Sequence, residues 1–491
     1  MEEFFLDLLS INWAKLSREY EAKILRGRVA ESRDSYRFAL SGTPQLPSSL
    51  ELRGYQKQAV LNWFKNRGRG TLKMATGSGK TIVALAIATE LYQKIGLQVL
   101  VVICPYRHLV TQWAKECEKF NLQPILAFEN VHNWQSQLSG QLYNLGSGDR
   151  SFLTVITTNS TFISEGWQSQ LKFFPAKTLL VGDEAHNLGS IRLEESLPRQ
   201  IGLRLALSAT PERYFDDDGT EAIFSYFGSI LEPEFTLADA IAQKALVRYF
   251  YYPILVELTE AESLSYAKLT QRIGWALQKN NNLLTNENLT SLLMQRSRLI
   301  GAASNKLNVL RELMRDRLHT SHTLFYCGDG YVESKSIYRR QIEAVTQILG
   351  NELGYRVNTY TADTSVIERE KLLNRFEVGE LQGLVAIRCL DEGIDIPAIQ
   401  TAVILASTTN PRQFIQRRGR ILRPHPGKER ATLFDTIVMP PDLDRETWEV
   451  ERNLLRKELK RSIEFANLAE NAEEARSKFL VLQERYGLLE A

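Results

Sequence analysis

The run Met74-Ala75-Thr76-Gly77-Ser78-Gly79-Lys80-Thr81, followed by the apolar segment Ile82 to Leu91, constrains this chain more than any other. Gly77 and Gly79 let the backbone turn tightly, so that successive N–H groups point at one anion. A helix starting here adds its positive N-terminal end. In this reading Thr76, Gly77, Ser78 and Gly79 form a phosphate cradle, Lys80 reaches the β- and γ-phosphates, and the Thr81 hydroxyl holds Mg²⁺. The strict pattern has glycine six positions before the lysine, where this chain has Met74. The competing reading is a glycine turn capping an ordinary helix.

A second acidic site narrows the choice. Thr178 to Gly182 is a short, β-prone apolar run, and Asp183-Glu184-Ala185-His186 follows it. Adjacent carboxylates at a strand end suit a Mg·ATP site. Asp183 would hold the metal, directly or through water, and Glu184 would orient and polarise the attacking water. A solvated loop fits poorly, because an apolar strand delivers the pair.

Taken with the motifs that follow, these residues resemble the superfamily 2 nucleic-acid motors of the DEAH-type restriction-helicase (ResIII, XPB-like) kind. The pattern recurs in order from about residue 51 to about residue 435. Leu52-Arg53-Gly54-Tyr55-Gln56 resembles the family's adenine-recognition element, with Gln56 offering a donor and an acceptor to the base edge and Arg53 stacking on or bonding it. After a predicted strand, Val99 to Ile103, the run Cys104-Pro105-Tyr106-Arg107 resembles a strand-contacting motif, with Pro105 and Arg107 as candidate backbone contacts. Trp113 reads as core. Thr157 and Thr158, ending the predicted strand Phe152 to Ile156, stand where the family has a second such motif; they equally suit a helix cap. Ser208-Ala209-Thr210 resembles the element that couples the ATP site to the bound strand, together with His186.

The second half continues the resemblance. Tyr326 and Thr361, at the ends of the predicted strands Thr323 to Cys327 and Val357 to Tyr360, are further candidate nucleic-acid contacts. Gly393-Ile394-Asp395-Ile396-Pro397 matches the G-x-D-x-P element, in which Gly393 allows close approach and Asp395 accepts from a ribose hydroxyl. Gln416-Arg417-Arg418-Gly419-Arg420-Ile421-Leu422-Arg423 fits Q-x-x-G-R-x-x-R, and the resemblance gives Gln416, Arg420 and Arg423 catalytic roles, the two arginines reaching the γ-phosphate from the second lobe. A basic nucleic-acid patch is the competing reading, which Arg417, Arg418 and Lys428 also suit.

The resemblance implies an α/β fold with two tandem RecA-like, doubly wound parallel-sheet lobes and helical N- and C-terminal extensions. The chain divides accordingly into an N-terminal extension (1–50), an ATP-binding lobe (51–235), a mostly helical inter-lobe insertion (236–302), a second lobe (303–440) and a helical tail (441–491). In the extension, Phe4, Leu6, Leu8, Leu9, Trp13 and Leu16 suggest an amphipathic helix, and Arg26, Arg28, Arg33 and Arg37 are either phosphate contacts or a solvated face. Arg296 and Arg298, in the insertion, are undecided contacts. Asp216-Asp217-Asp218-Gly219 reads as a solvated turn rather than a metal site.

With 491 residues the chain is too long for one compact domain. A net charge of +2 requires any nucleic-acid surface to be local. The four cysteines are scattered, without a C-x-x-C pair, which argues against zinc and a disulfide framework. No apolar run approaches the ~20 residues of a membrane span, and no signal-peptide pattern is present, so a cytoplasmic protein is expected. The expected activity is DNA-stimulated ATP hydrolysis driving a helicase or translocase, with ATP and Mg²⁺ as cofactors, DNA as partner and no membrane. An RNA helicase and a non-catalytic scaffold are the alternatives. The segment Arg33 to Gly42 and the overall length also resemble prokaryotic helicase-like proteins of DNA phosphorothioation restriction systems, which implies a separate nuclease or modification-system partner.

Overall fold

The computed structural model describes residues 11–25, 42–213, 216–279, 287–334, 337–361, 363–387, 396–406 and 419–489. Residues 4–9, Arg26, Arg28, Arg33, Arg37, Gly393, Asp395, Gln416, Arg417 and Arg418 lie outside the described residues. The chain forms two compact units, Met1–Asp239 and Ala240–Ala491.

The first unit is built on strands β1 (Arg69–Lys73), β2 (Val99–Cys104), β3 (Ile125–Ala127), β4 (Leu153–Thr158), β5 (Thr178–Asp183) and β6 (Leu203–Ser208). They form one sheet in the order β1-β6-β5-β2-β4-β3, parallel at every pairing. Strands β2, β4, β5 and β6 are buried at every residue, because helices cover the sheet; this is why they read as continuous apolar runs rather than alternating ones. The helix Lys80–Ile95 has every residue from Val83 to Leu91 buried, and left-handed glycines, Gly79 and Gly96, bound it. Each such buried leucine or valine contributes about 1.5–3 kcal/mol. Parallel strands share one C-terminal edge, so the phosphate loop, Cys104, Thr158, Asp183 and Ser208 all emerge on the same side of the sheet.

A helix before the lobe, Trp13–Leu25, docks on Gly54–Lys65. Trp13 meets Trp63 edge-on at 6.2 Å between centroids, and Tyr20 meets Phe64 at 5.5 Å. Ion pairs Lys94–Glu19 and Lys23–Glu90 flank this apolar seam.

The second unit holds β7 (Arg248–Glu257), β8 (Thr323–Cys327), β9 (Tyr331–Ser334), β10 (Ile337–Arg340), β11 (Val357–Tyr360), β12 (Gly383–Ile387), β13 (Thr401–Ile404) and β14 (Arg430–Met439). Six of them form a second parallel sheet, β11-β12-β8-β13-β14-β7; β9 and β10 make a separate antiparallel hairpin. Strand β7 covers most of the stretch Phe250 to Leu258, which the sequence marks as a strand within the mostly helical insertion; it belongs not to an insertion but to the second sheet, as an edge strand paired with β14 from Arg248↔Arg430 to Glu257↔Met439. Its Pro253 suits an edge, where one side needs no ladder donor.

The helices Glu260–Lys279 and Glu287–Gly301 pack against the C-terminal helix Arg445–Asn467 around a buried ionic cluster. Arg296 Nη2 donates to Glu451 Oε1 and Oε2 at 2.9 and 3.2 Å and to the Tyr266 hydroxyl at 2.7 Å, and Nη1 donates to Glu458 at 3.3 Å. Arg296 is thus structural, not a surface contact; only 2% of it is exposed.

Candidate nucleotide and nucleic-acid site

Gly77 (φ 86°) and Gly79 (φ 83°) both take left-handed conformations, as a loop that turns its amides inward requires. A Cβ on Gly79 would lie 2.5 Å from Gln56 Nε2. The Ser78 carbonyl accepts from Gln56 Nε2 at 3.1 Å and from the Tyr55 hydroxyl at 2.7 Å. Gln56 Oε1 accepts the Arg53 N–H at 2.9 Å, so both amide ends are engaged inside the protein, each with further capacity for a base edge. Lys80 Nζ donates to the Met74 carbonyl at 3.2 Å, which holds the ammonium across the mouth of the loop. The Thr76 and Ser78 hydroxyls are buried without a hydrogen-bond partner. Two orphaned hydroxyls beside a lysine and a bare helix N-terminus are a donor set that an anion satisfies, so the residues fit a nucleotide's phosphates.

Asp183 ends β5 and is 8% exposed. Its Oδ2 accepts the Trp113 indole N–H at 2.8 Å, and its Oδ1 accepts the Glu184 N–H at 3.0 Å. Trp113 is core, as expected, but also orients this carboxylate. A carboxylate and the Thr81 hydroxyl form a hard oxygen set that fits Mg²⁺. Gly182 precedes Asp183 because a Cβ there would strike Leu188 at 2.6 Å and Phe227 at 2.9 Å. Glu184 adopts φ 45°, ψ 53°, a strained conformation for a non-glycine residue that costs about 1–3 kcal/mol. Such strain concentrates where a side chain must be aimed. Burial, and after it the Asp183 charge, push the neighbouring Cys104 thiol well above its ordinary range, leaving it unreactive.

His186 Nδ1 lies 3.3 Å from Ser208 Oγ and 3.5 Å from Glu184 Oε2. Ser208 Oγ accepts the Thr210 N–H at 3.1 Å, and the Ser208 carbonyl accepts the Met74 N–H at 3.0 Å. Polar contacts therefore run from Glu184 through His186 to Ser208, whose carbonyl bonds the first residue of the phosphate loop. Arg213 extends them: Nη1 donates to the His186 carbonyl at 2.5 Å and Nε to Asp216 at 2.5 Å. Asp216 is a buried helix cap accepting the Gly219 N–H at 2.9 Å. Among the described residues no cluster of three or more His, Cys, Asp or Glu is placed to hold a metal.

The candidate nucleic-acid contacts fare unevenly. Arg107 is exposed at a helix start, two residues after Pro105, and is paired with Glu129 at 3.0 Å. Thr157 is fully buried, its hydroxyl donating to the Ala127 carbonyl at 2.8 Å. Thr158 is 3% exposed and caps the turn Asn159–Phe162 through Thr161 N. Both hydroxyls point into the fold, which corrects their reading as phosphate contacts; the cap reading holds for Thr158. Tyr326 is likewise 2% exposed within β8 and offers no surface to a strand. Thr361 is half-buried; its N–H meets Thr364 Oγ1, and Arg369 Nη2 donates to its carbonyl. Arg298 is exposed and paired with Asp329. Lys428 is buried and donates to the Ile421 and Pro397 carbonyls at 2.6 and 3.1 Å, so it is not part of a basic patch. In the second unit Arg420 is 5% exposed in a helical turn that ends at residue 421, with Arg423 just beyond it.

Two doubly wound parallel sheets, one carrying a phosphate loop and a strand-end acidic pair, define a two-lobed RecA-like ATPase. Residues 49–213 match the domain family described as type III restriction enzyme, res subunit, and residues 305–425 match the helicase conserved C-terminal domain. The chain is 29% identical over 406 residues to a DNA 3'-5' translocase XPB2 of Sulfurisphaera tokodaii, spanning 80% of this chain and 83% of that protein. It is 27% identical over 380 residues to a putative DNA 3'-5' helicase Rad25 of Haloarcula marismortui, spanning 76% of this chain and only 51% of the relative. In fold it is similar to the ATP-dependent Type ISP restriction-modification enzyme LlaBIII bound to DNA, at a TM-score of 0.55 and 19% identity over 87% of this chain and 31% of that one. The two domain matches and these relatives support a superfamily 2 helicase or translocase motor, an ATP-hydrolysing enzyme. Sequence reasoning missed Tyr55 and Phe235 as supports of the phosphate loop. Tyr55 stood inside a recognised motif, whereas nothing local marks Phe235.

Proposed function

We propose that this chain is a DNA-stimulated ATPase that translocates on or unwinds DNA. The observation that carries the reading is the run of polar contacts from Glu184 through His186 to Ser208, whose carbonyl bonds Met74, which ties the acidic pair, the coupling motif and the phosphate loop into one unit. The names of the relatives, a DNA translocase and a putative DNA helicase, support DNA over RNA. When bound, Mg·ATP supplies the anhydride to be cleaved and the charge neutralisation on its phosphoryl oxygens. Lys80 and the loop amides orient the phosphates. Thr81 and Asp183 would hold the metal. Glu184 aligns water and takes up its proton, and Arg420 and Arg423 stabilise the transition-state charge. No covalent intermediate is needed; positioning and electrostatics suffice.

The sequence divisions 51–235 and 303–440 remain our proposed motor lobes, with β7 added to the second. The match to a restriction-enzyme res subunit favours a setting in DNA restriction or defence, with a separate protein supplying the nuclease. Among the described residues no helix is long and apolar enough to cross a membrane, in keeping with a proposed cytoplasmic site of action. The test is steady-state ATP hydrolysis by the purified chain alone and with single-stranded DNA, duplex DNA and RNA, using Glu184→Gln to exclude contaminants. Stimulation by DNA supports the reading. Stimulation by RNA alone replaces it with an RNA motor, and no hydrolysis with any polymer points to a scaffold.

A further inference from the structure

We propose that Tyr55 is a positioning residue of the phosphate loop, and that Phe235, on the chain leaving the first lobe, holds Tyr55 in place. The inference rests on residues 74–81 being the nucleotide site. In a trans peptide the carbonyl and the next N–H point opposite ways. Two donors, the Tyr55 hydroxyl at 2.7 Å and Gln56 Nε2 at 3.1 Å, capture the Ser78 carbonyl from outside the loop. The Gly79 N–H is thereby turned to the other side, into the cradle. Gly79 permits many orientations of this peptide, so the captured carbonyl is what selects one.

Tyr55 is itself held. Its ring stacks on Phe235 at 3.8 Å between centroids and 15° between planes. Phe235 is 7% exposed, and its main chain is bonded twice to the approach of the phosphate loop. Its N–H donates to the Lys73 carbonyl at 3.1 Å, and its carbonyl accepts the Ala75 N–H at 2.8 Å. Upstream, Thr71 N–H donates to Ser229 and Leu231 N–H to Thr71, so residues 229–235 lie along β1. Lys73 Nζ bridges Glu212, just after the coupling motif, at 2.7 Å and Glu234, just before Phe235, at 3.2 Å. The first compact unit ends at Asp239. A pull on the chain beyond that point is delivered to Phe235, which touches the loop at Ala75 directly and at Ser78 through Tyr55. The exit segment is thus a mechanical input to nucleotide affinity, separate from the acidic motif.

The test is ATP KM and kcat for the full chain, with direct binding of a fluorescent ATP analogue, in Tyr55→Phe, Phe235→Leu and the double variant. Tyr55→Phe keeps the ring and removes only the hydroxyl. It should raise KM and the analogue's Kd roughly three- to tenfold, the effect of one hydrogen bond, with kcat nearly unchanged. Phe235→Leu keeps the backbone bonds and loses the stack, and should shift KM in the same direction; Phe235→Tyr should restore it. If Phe235 acts through the Tyr55 hydroxyl, the double variant is no weaker than Tyr55→Phe alone. A loss of folded protein lowers apparent kcat and leaves KM alone. Unchanged affinity in Tyr55→Phe, or fully additive effects, overturns the inference. Wild-type protein that binds no ATP overturns the nucleotide-site reading itself.

Discussion

The Trp113 indole N–H donates to Asp183 Oδ2 at 2.8 Å, with both groups buried. A core tryptophan thus orients this carboxylate from one oxygen, while the Glu184 N–H holds the other. Trp113→Phe should raise the Mg²⁺ concentration for half-maximal ATPase activity about tenfold, the lower end of what a hydrogen bond to a charged group is worth. Metal-free nucleotide binding should not change. A Mg²⁺ titration that superimposes on wild type would remove Asp183 from the metal site.

Glu184 and Lys80 should separate binding from turnover. Glu184→Gln keeps the cradle intact, so ATP binding should persist while hydrolysis falls by at least about 10²-fold, the scale of lost general-base assistance. Lys80→Ala should weaken both. Equilibrium binding together with phosphate release would show it; normal turnover in either purified variant would sink the assignment.

The ionic cluster under the C-terminal helix makes a stability prediction. Arg296→Met strands Glu451, whose side chain is fully buried, and should destabilise the second unit by about 3–5 kcal/mol. Arg296→Met combined with Glu451→Leu should recover most of that loss, since neither charge then remains buried alone. Denaturant unfolding of both proteins would decide, and equal losses would mean the cluster acts through packing instead.

Lys306 gives a pH signature. It is fully buried, with Nζ donating to the Leu405 carbonyl at 2.6 Å. Burial lowers its pKa from 10.5 to about 8, against the opposing pull of Asp435 and Glu262. Between pH 8 and 10.5 the unfolded chain holds more protons than the folded one, so this group makes stability rise with pH across that window, by up to about 3 kcal/mol. Lys306→Met should flatten the rise, and Thr436 Oγ1 still serves the Leu405 carbonyl. An unchanged slope of stability against pH would place the titrating proton elsewhere.

The elements around the nucleotide were legible because their signals are local. Glycines at fixed offsets, a lysine and an apolar run mark the loop and its helix, and an apolar strand marks Asp183. What escaped depends on partners far along the chain. Arg296 looked like a candidate contact because Glu451 lies 155 residues away. Lys428 looked like part of a basic stretch because the carbonyls that hold it, Ile421 and Pro397, are visible only in the fold. Thr157 at a strand end could face either way, and only its bond to Ala127 turns it inward. β7 was legible as a strand near Phe250 to Leu258, but that it belongs to the second sheet rests on its pairing with β14, almost two hundred residues on.

That last pairing bears on how the protein is made. All six strands of the first sheet lie before residue 209 and its unit ends at Asp239, so it is complete in sequence before any strand of the second sheet is made. The second unit opens with β7, an edge strand whose neighbour in the sheet, β14, is the last in sequence of the strands among the described residues. At about 5–20 residues per second, β7 waits roughly ten to forty seconds for its partner. During that interval an aromatic strand with an unmatched edge stands open to other chains, so the interval before Met439 emerges is the stage of synthesis most exposed to aggregation.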